Sequence, residues 1–232
     1  APRGLNARLR QAARDLAFAR DLESVMTIVK TTAREATGAD GVTFVLREGS
    51  FCHYADEAAI APLWKGRRFP LDQCISGWVM RRGVPVAIAD VFSDPRVPHD
   101  AYRETFVKSL AMVPVRTPDP VAAIGAYWAG VHQATPRELE ALQTIADSAA
   151  LALANIQLYQ ELRTSLEQQQ QARATAEAAT EAKDNFLAIV AHELRQPLAA
   201  CTAALSLLRL QPSGAARGRA HGGMGRRVVR LP

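Results

Sequence analysis

Residues 69–80 read Phe69-Pro70-Leu71-Asp72-Gln73-Cys74-Ile75-Ser76-Gly77-Trp78-Val79-Met80, and Gly83-Val84-Pro85-Val86 follows Arg81 and Arg82. Phe69 to Leu71 suits a short extended run, and Ile75 to Arg82 suits a short helix that Gly83 stops. Gly77 inside that helix points to close packing of the chain where the helix starts. Val84 to Ala89 is then a strand candidate.

Moving outward, apolar residues from Leu9 to Ala33 recur at helical spacing within Leu5 to Thr37, and Gly38 suits a C-cap. Val42, Phe44 and Leu46 alternate, Glu48-Gly49 makes a turn, and a second strand passes through Phe51, so Gly41 to Ala55 reads as a hairpin. Trp64-Lys65-Gly66 and Ser93 to Pro98 read as loops, and Tyr102 to Lys108 as a helical turn. Leu110 to Val115 and Val121 to Ala129 read as paired strands joined through Thr117-Pro118-Asp119-Pro120. An antiparallel sheet with helices at both sequence ends is an α+β fold.

Thr135-Pro136-Arg137-Glu138 combines a capping residue, a first-turn proline and a glutamate three residues after the cap, which marks a helix start. No glycine occurs between Val131 and Ser213. A helix from Thr135 to Leu210 would run about 110 Å at about 1.5 Å per residue. Its middle, Gln168 to Ala179, is rich in helix formers and poor in large hydrophobes, as in a weakly packed coiled-coil linker. The chain thus divides into a helical lead-in (1–14), a globular domain (15–160), a linker (161–182), a further helix (183–211) and a tail (212–232).

The 232 residues carry a net charge of +5, with 28 basic against 23 acidic side chains. The tail from Pro212 to Pro232 holds Arg217, Arg219, Arg226, Arg227 and Arg230 and no acid. The remainder is therefore neutral, and nucleic acid is not an expected partner. The tail reads as disordered. No apolar run reaches the roughly 18 residues of a membrane span, and Ala1-Pro2-Arg3 shows no signal-peptide pattern. The missing initiator Met fits processing or excision from something longer. Cys52, Cys74 and Cys201 are odd in number and lack CxxC spacing, against a disulfide framework and against a metal site. A reducing, cytoplasmic setting is expected.

The 69–86 stretch, with Ile88-Ala89-Asp90-Val91 and Asp94-Pro95-Arg96, resembles the GAF domain, a small-molecule sensing module of bacterial signalling proteins, over roughly residues 15–160. The resemblance implies a pocket between the sheet and the Cys74-to-Asp94 region, with Cys74, Trp78 and Asp90 as candidate lining residues. It does not name the ligand. The Asn-Lys pair of cyclic-nucleotide binders is missing, and Cys52-His53 falls in the hairpin, earlier than the Cys-His of chromophore-binding relatives. His99 and His132 are alternatives for haem ligation or plain solvated side chains. Cys74 reads first as a small buried hydrophobe and second as a redox switch. Trp64, Trp78 and Trp128 divide between pocket lining and core, with at least two assigned to core.

Lys183-Asp184-Asn185-Phe186-Leu187-Ala188-Ile189-Val190-Ala191-His192-Glu193-Leu194-Arg195-Gln196-Pro197-Leu198 carries the clearest chemistry. On a helical projection, Val190, Leu194, Cys201, Leu205 and Leu208 lie opposite His192, which therefore faces solvent. An exposed neutral imidazole can attack a phosphoryl group. Glu193 can hydrogen-bond it or accept its proton, Arg195 is a candidate phosphate contact, and Pro197 is a candidate bend.

The segment resembles the H-box of sensor histidine kinases, a HisKA-type phosphoacceptor and dimerisation helix, with Gln196 where Asn is common. The resemblance implies a homodimer in which His192 takes phosphate from ATP and passes it to an aspartate of a response regulator. ATP and Mg²⁺ would belong to a full-length relative, since no second hairpin helix or ATP-site motif comes after it. The expectation is a truncated or frame-disrupted protein-histidine kinase carrying no cofactor of its own. The competing expectation is a non-enzymatic ligand-binding dimerisation module.

Overall fold

The computed structural model describes residues 2–115 and 119–210; the basic tail and Thr117-Pro118 lie outside them. The chain forms two units, 1–166 and 167–232. The elements are α1 (Pro2–Phe18), α2 (Leu22–Thr37), β1 (Gly41–Glu48), β2 (Phe51–Ala59), β3 (Arg68–Pro70), α3 (Ile75–Arg82), β4 (Val86–Ile88), α4 (His99–Arg103), β5 (Ser109–Val115), β6 (Ala122–Trp128) and α5 (Pro136–Leu210). No described helix is long and apolar enough to cross a membrane.

In the first unit the six strands form one antiparallel sheet in the order β3-β2-β1-β6-β5-β4. The α+β reading holds. Period-two alternation sorts side chains onto two faces. Val42, Phe44, Ala111, Val113, Ile124 and Ala126 face a helical layer in which α1 supplies Leu16, α2 supplies Val25, Val29 and Ala33, and α5 supplies Leu142, Ile145, Ala146 and Ala149. Val45, Cys52, Tyr54, Leu110, Met112 and Tyr127 face the other way, toward α3 and the loops around it.

Local signals account for the helix ends. Asp21 accepts a hydrogen bond from the Ser24 amide at 2.7 Å and starts α2, so the Leu5-to-Thr37 periodicity is two helices broken at 19–21. Gly38 and Gly83 end α2 and α3 at φ 63° and 65°. At α5 the Thr135 amide donates to Glu138 Oε2 at 2.7 Å and the Glu138 amide donates to Thr135 Oγ1 at 3.3 Å, a complete capping box. The helical turn anticipated at 102–108 sits earlier, at His99–Arg103.

A bulge in β2 re-aims one charge. The register passes from Val45↔Tyr54 to Phe44↔Asp56, leaving Ala55 unpaired and reversing the face of the residues beyond it. Asp56 thereby joins Phe44 on the helical side, where Lys30 of α2 and Lys65 both bond its carboxylate. Glu57 turns to the other face and accepts the amides of Leu63, Trp64 and Lys65 at 2.8–2.9 Å, fixing the loop that carries Trp64.

In the second unit the described residues, from Glu167 on, are helical and largely exposed, and the helix continues through Pro197.

Candidate functional site

The face between the sheet and α3, where the resemblance places a pocket, is filled by the protein's own side chains. Trp64 is only 2% exposed and its ring packs against Tyr54, Tyr102 and Tyr127 at centroid distances of 5.4, 4.7 and 5.4 Å. Its indole N–H donates to the Ala101 carbonyl at 3.1 Å. The Tyr127 hydroxyl lies 3.0 Å from Thr43 Oγ1, and Gly125 leaves it room. Burial pushes the phenols of Tyr54, Tyr102 and Tyr127 upward, so they stay protonated.

Open space remains as a cleft of about 270 Å³ beside the start of α3, lined by Asp72, Cys74, Trp78, Arg81, Arg96 and neighbouring prolines and Val97. Cys74 and Trp78 both line this cleft. Asp90 does not line this cleft: it is exposed, and its carboxylate accepts the Phe92 amide at 2.9 Å in a tight turn. The Arg96 guanidinium lies 4.8 Å from the Trp78 ring centroid and is held by Asp94, with Nε 2.9 Å from Oδ1. That pairing, led by the side-chain hydrogen bonds, lowers Asp94 and raises Arg96.

Two thiols lie on this side of the sheet, Cys74 lining the cleft and Cys52 fully buried. Cys74 is the N-cap of α3: its Sγ accepts the Gly77 amide at 3.4 Å and lies 3.2 Å from Ser76 Oγ, which lies 3.3 Å from the Tyr54 hydroxyl. Cys52 reaches the same place because β3 pairs with β2 at Cys52↔Phe69, and the following turn carries Cys74 back over the sheet. The Cys74 thiol is lowered to about 7, first by hydrogen bonding with Cys52, then by Ser76, the Gly77 amide and Arg81, against burial. The Cys52 thiol is pushed up, first by Cys74 and then by burial. In the sequence, Cys52 stands out only as part of the Cys52-His53 pair and of the three cysteines. Its alternation with Tyr54 was the signal that it faces inward.

The histidines of this unit have local partners. His99 Nε2 is 3.0 Å from the Asp94 carbonyl oxygen, and His132 lies between the Trp128 ring, at 4.3 Å, and Glu138, at 3.1 Å. His53 Nδ1 is 2.7 Å from Glu48. Among the described residues no group of His, Cys, Asp and Glu could hold a metal ion. Trp128 is buried in the helical-side core with 7% exposure, so two of the three tryptophans are core, as the sequence suggested.

In the second unit the His192 side chain is 65% exposed, and its Nδ1 lies 3.8 Å from Glu193 Oε1. That is beyond hydrogen-bond range. Arg195 is exposed. Leu194, Leu198 and Leu205 are 57–65% exposed on the far side of the helix, and Phe186 and Leu187 flank them. Among the described residues nothing covers this apolar stripe.

Residues 19–154 match the family model described as the GAF domain. No curated protein matches the chain. Among solved structures, the chain is similar to the GAF domain of a phosphoenolpyruvate-protein phosphotransferase from Coxiella burnetii, at 18% identity and TM-score 0.60 over 68% of this chain and 96% of that one. It is similar to free methionine-R-sulfoxide reductase from Neisseria meningitidis, at 18% identity and TM-score 0.58 over 67% and 91%. It is also similar to the GAF-B domain of DevS from Mycobacterium smegmatis, at 21% identity and TM-score 0.51 over 62% and 99%. These are likenesses of fold, and the functions they span differ.

Proposed function

The chain belongs to the GAF domain family, small-molecule sensing modules of signalling proteins, and from that premise we propose that it is the sensory part of a two-component histidine kinase. A small molecule taken up by the GAF domain controls phosphorylation of His192, and a response regulator receives the phosphate.

The observation that carries this reading is His192 itself: a solvent-facing imidazole on a helix whose opposite side is an uncovered apolar stripe. Phosphoryl transfer needs a reachable lone pair, and the stripe supplies the surface on which a second copy of the helix docks as a homodimer. Glu193 stands close enough to stabilise a protonated imidazole, and Arg195, one turn from Ala191, is the proposed contact for phosphate oxygens. ATP with Mg²⁺ is the proposed phosphoryl donor, held by an ATP-binding domain of the kind that accompanies H-box helices.

The test is transfer of labelled phosphate from ATP to the chain with a histidine-kinase ATP-binding domain supplied in trans. Acid-labile label is expected on the parent and none on His192→Ala. Equal labelling of the two rejects the assignment.

A further inference from the structure

Cys74 and Cys52 have no part in phosphoryl transfer, yet both lie in the buried cluster on the α3 side of the sheet. Cys74 is 5% exposed and lines the cleft beside α3, while Cys52 is fully buried. Cys74 Sγ is met by the Gly77 amide at the helix N-terminus and by Ser76 Oγ, and Arg81 and Arg96 line the same opening. Amide, hydroxyl and guanidinium groups favour a thiolate there, whereas Cys52, fully buried in the same core cluster, keeps its proton. The other ionisable groups facing the pair are Arg47 near Cys52 and the buried phenols of Tyr54, Tyr102 and Tyr127, which remain neutral.

We propose that Cys74 is a hydroperoxide-reactive thiol and Cys52 its resolving partner, so that a hydroperoxide closes a disulfide between β2 and the start of α3. The Cys74 thiolate attacks the terminal oxygen of the hydroperoxide. The S–O bond forms, the O–O bond breaks, and the leaving alkoxide or hydroxide takes a proton from water. Sulfur is oxidised by two electrons to the sulfenic acid and the peroxide is reduced to alcohol or water. Cys52 then gives up its thiol proton and attacks the Cys74 sulfur. The S–S bond forms, the S–OH bond breaks, and the hydroxide leaves with that proton as water. One hydroperoxide thus consumes two thiols and yields one disulfide, one alcohol or water, and one further water. The bridge removes the acceptor that caps Gly77 and ties the helix to β2, a change inside the sensor that is independent of whether His192 accepts phosphate.

The test uses the full chain carrying Cys201→Ser, which removes the exposed third thiol, and hydrogen peroxide as the probe. The intact protein is expected to lose two hydrogens, and digestion is expected to yield a peptide pair joined through Cys52 and Cys74 that separates with a dithiol reductant. Adding Cys52→Ser is expected to abolish the bridge and leave a sulfenic acid on Cys74 that dimedone captures. Cys74→Ser, which keeps a capping acceptor, is expected to abolish both products. Both thiols remaining free after peroxide, a bridge that forms only after urea is added, or dimedone capture undiminished in Cys74→Ser would each overturn the proposal. Should Cys52→Ser fail to fold by circular dichroism, the peptide map of the Cys201→Ser chain decides alone.

Discussion

A Cβ on Gly77 would lie 1.8 Å from the carbonyl oxygen of Leu71, so the turn after β3 rests directly on the first turn of α3. The glycine that the sequence marked inside a short helix is there because backbone occupies the space of any side chain.

Gly77→Ala must therefore move either the turn or the helix, and is expected to destabilise the first unit by about 3 kcal/mol or more. Gly49→Ala, at φ 60° in open space, is expected to lose only about 1 kcal/mol. Urea unfolding of the two variants checks the order, and a smaller loss for Gly77→Ala would contradict the contact.

Asp56 is the second sensitive point. Its side chain is 9% exposed, and that of its partner Lys30 is 20% exposed. Burial alone would raise Asp56, but hydrogen bonds from Lys30 and Lys65 outweigh it and the carboxyl is lowered. A lowered carboxyl adds stability that is present above the ordinary carboxylate value and is lost as pH falls through the folded value. Asp56→Asn is expected to destabilise by about 2 kcal/mol near neutral pH, less than a fully buried pair because Lys65 is 60% exposed. The gap between variant and parent should narrow below about pH 4. Denaturation midpoints from pH 7 down to pH 3 measure both effects.

Thr135→Ala removes one half of the box that starts α5 and is expected to destabilise the first unit by about 1 kcal/mol. Because the box is reciprocal, adding Glu138→Gln should cost less in this background than in the parent. A double-mutant cycle with additive effects would show that the two side chains act separately.

The leucine stripe opposite His192 gives a prediction about assembly. If a second copy covers it, Leu194→Asp with Leu198→Asp should weaken the dimer on the order of 100-fold or more, since each chain places two leucines in the seam. Helix content by circular dichroism should hardly change. Light scattering across a dilution series reads the mass, and an unchanged dimer would place the seam elsewhere.

Features that depend on a few adjacent residues were legible before any coordinates. Gly38, Gly83 and the Thr135/Glu138 pair announce helix ends through backbone geometry and capping alone, and the Val42-Phe44-Leu46 alternation announces a strand. Features that depend on pairing were not. Nothing near Ala55 signals a bulge, because the extra residue is created by the register with β1, and so the reversal that sends Asp56 to Lys30 stayed hidden. The break at Ala19 to Asp21 was masked by helical periodicity running through it, although Asp21 and Ser24 carry a capping signal. Of the residues that line the cleft, Cys74 and Trp78 belong to the 69–86 motif. Asp90, just beyond it, turns outward to cap its own loop. Cys52 came to Cys74 only through the β2–β3 pairing.

The ring cluster around Trp64 has an optical consequence. Three tyrosines surround one buried indole, while Trp78 sits half-buried at the cleft and Trp128 lies across the sheet. Emission from Trp64 should therefore be blue-shifted and fed by energy transfer from its phenol neighbours. Trp64 emission would therefore report on the packing of this aromatic face, and Trp78 emission on the occupancy of the cleft beside it.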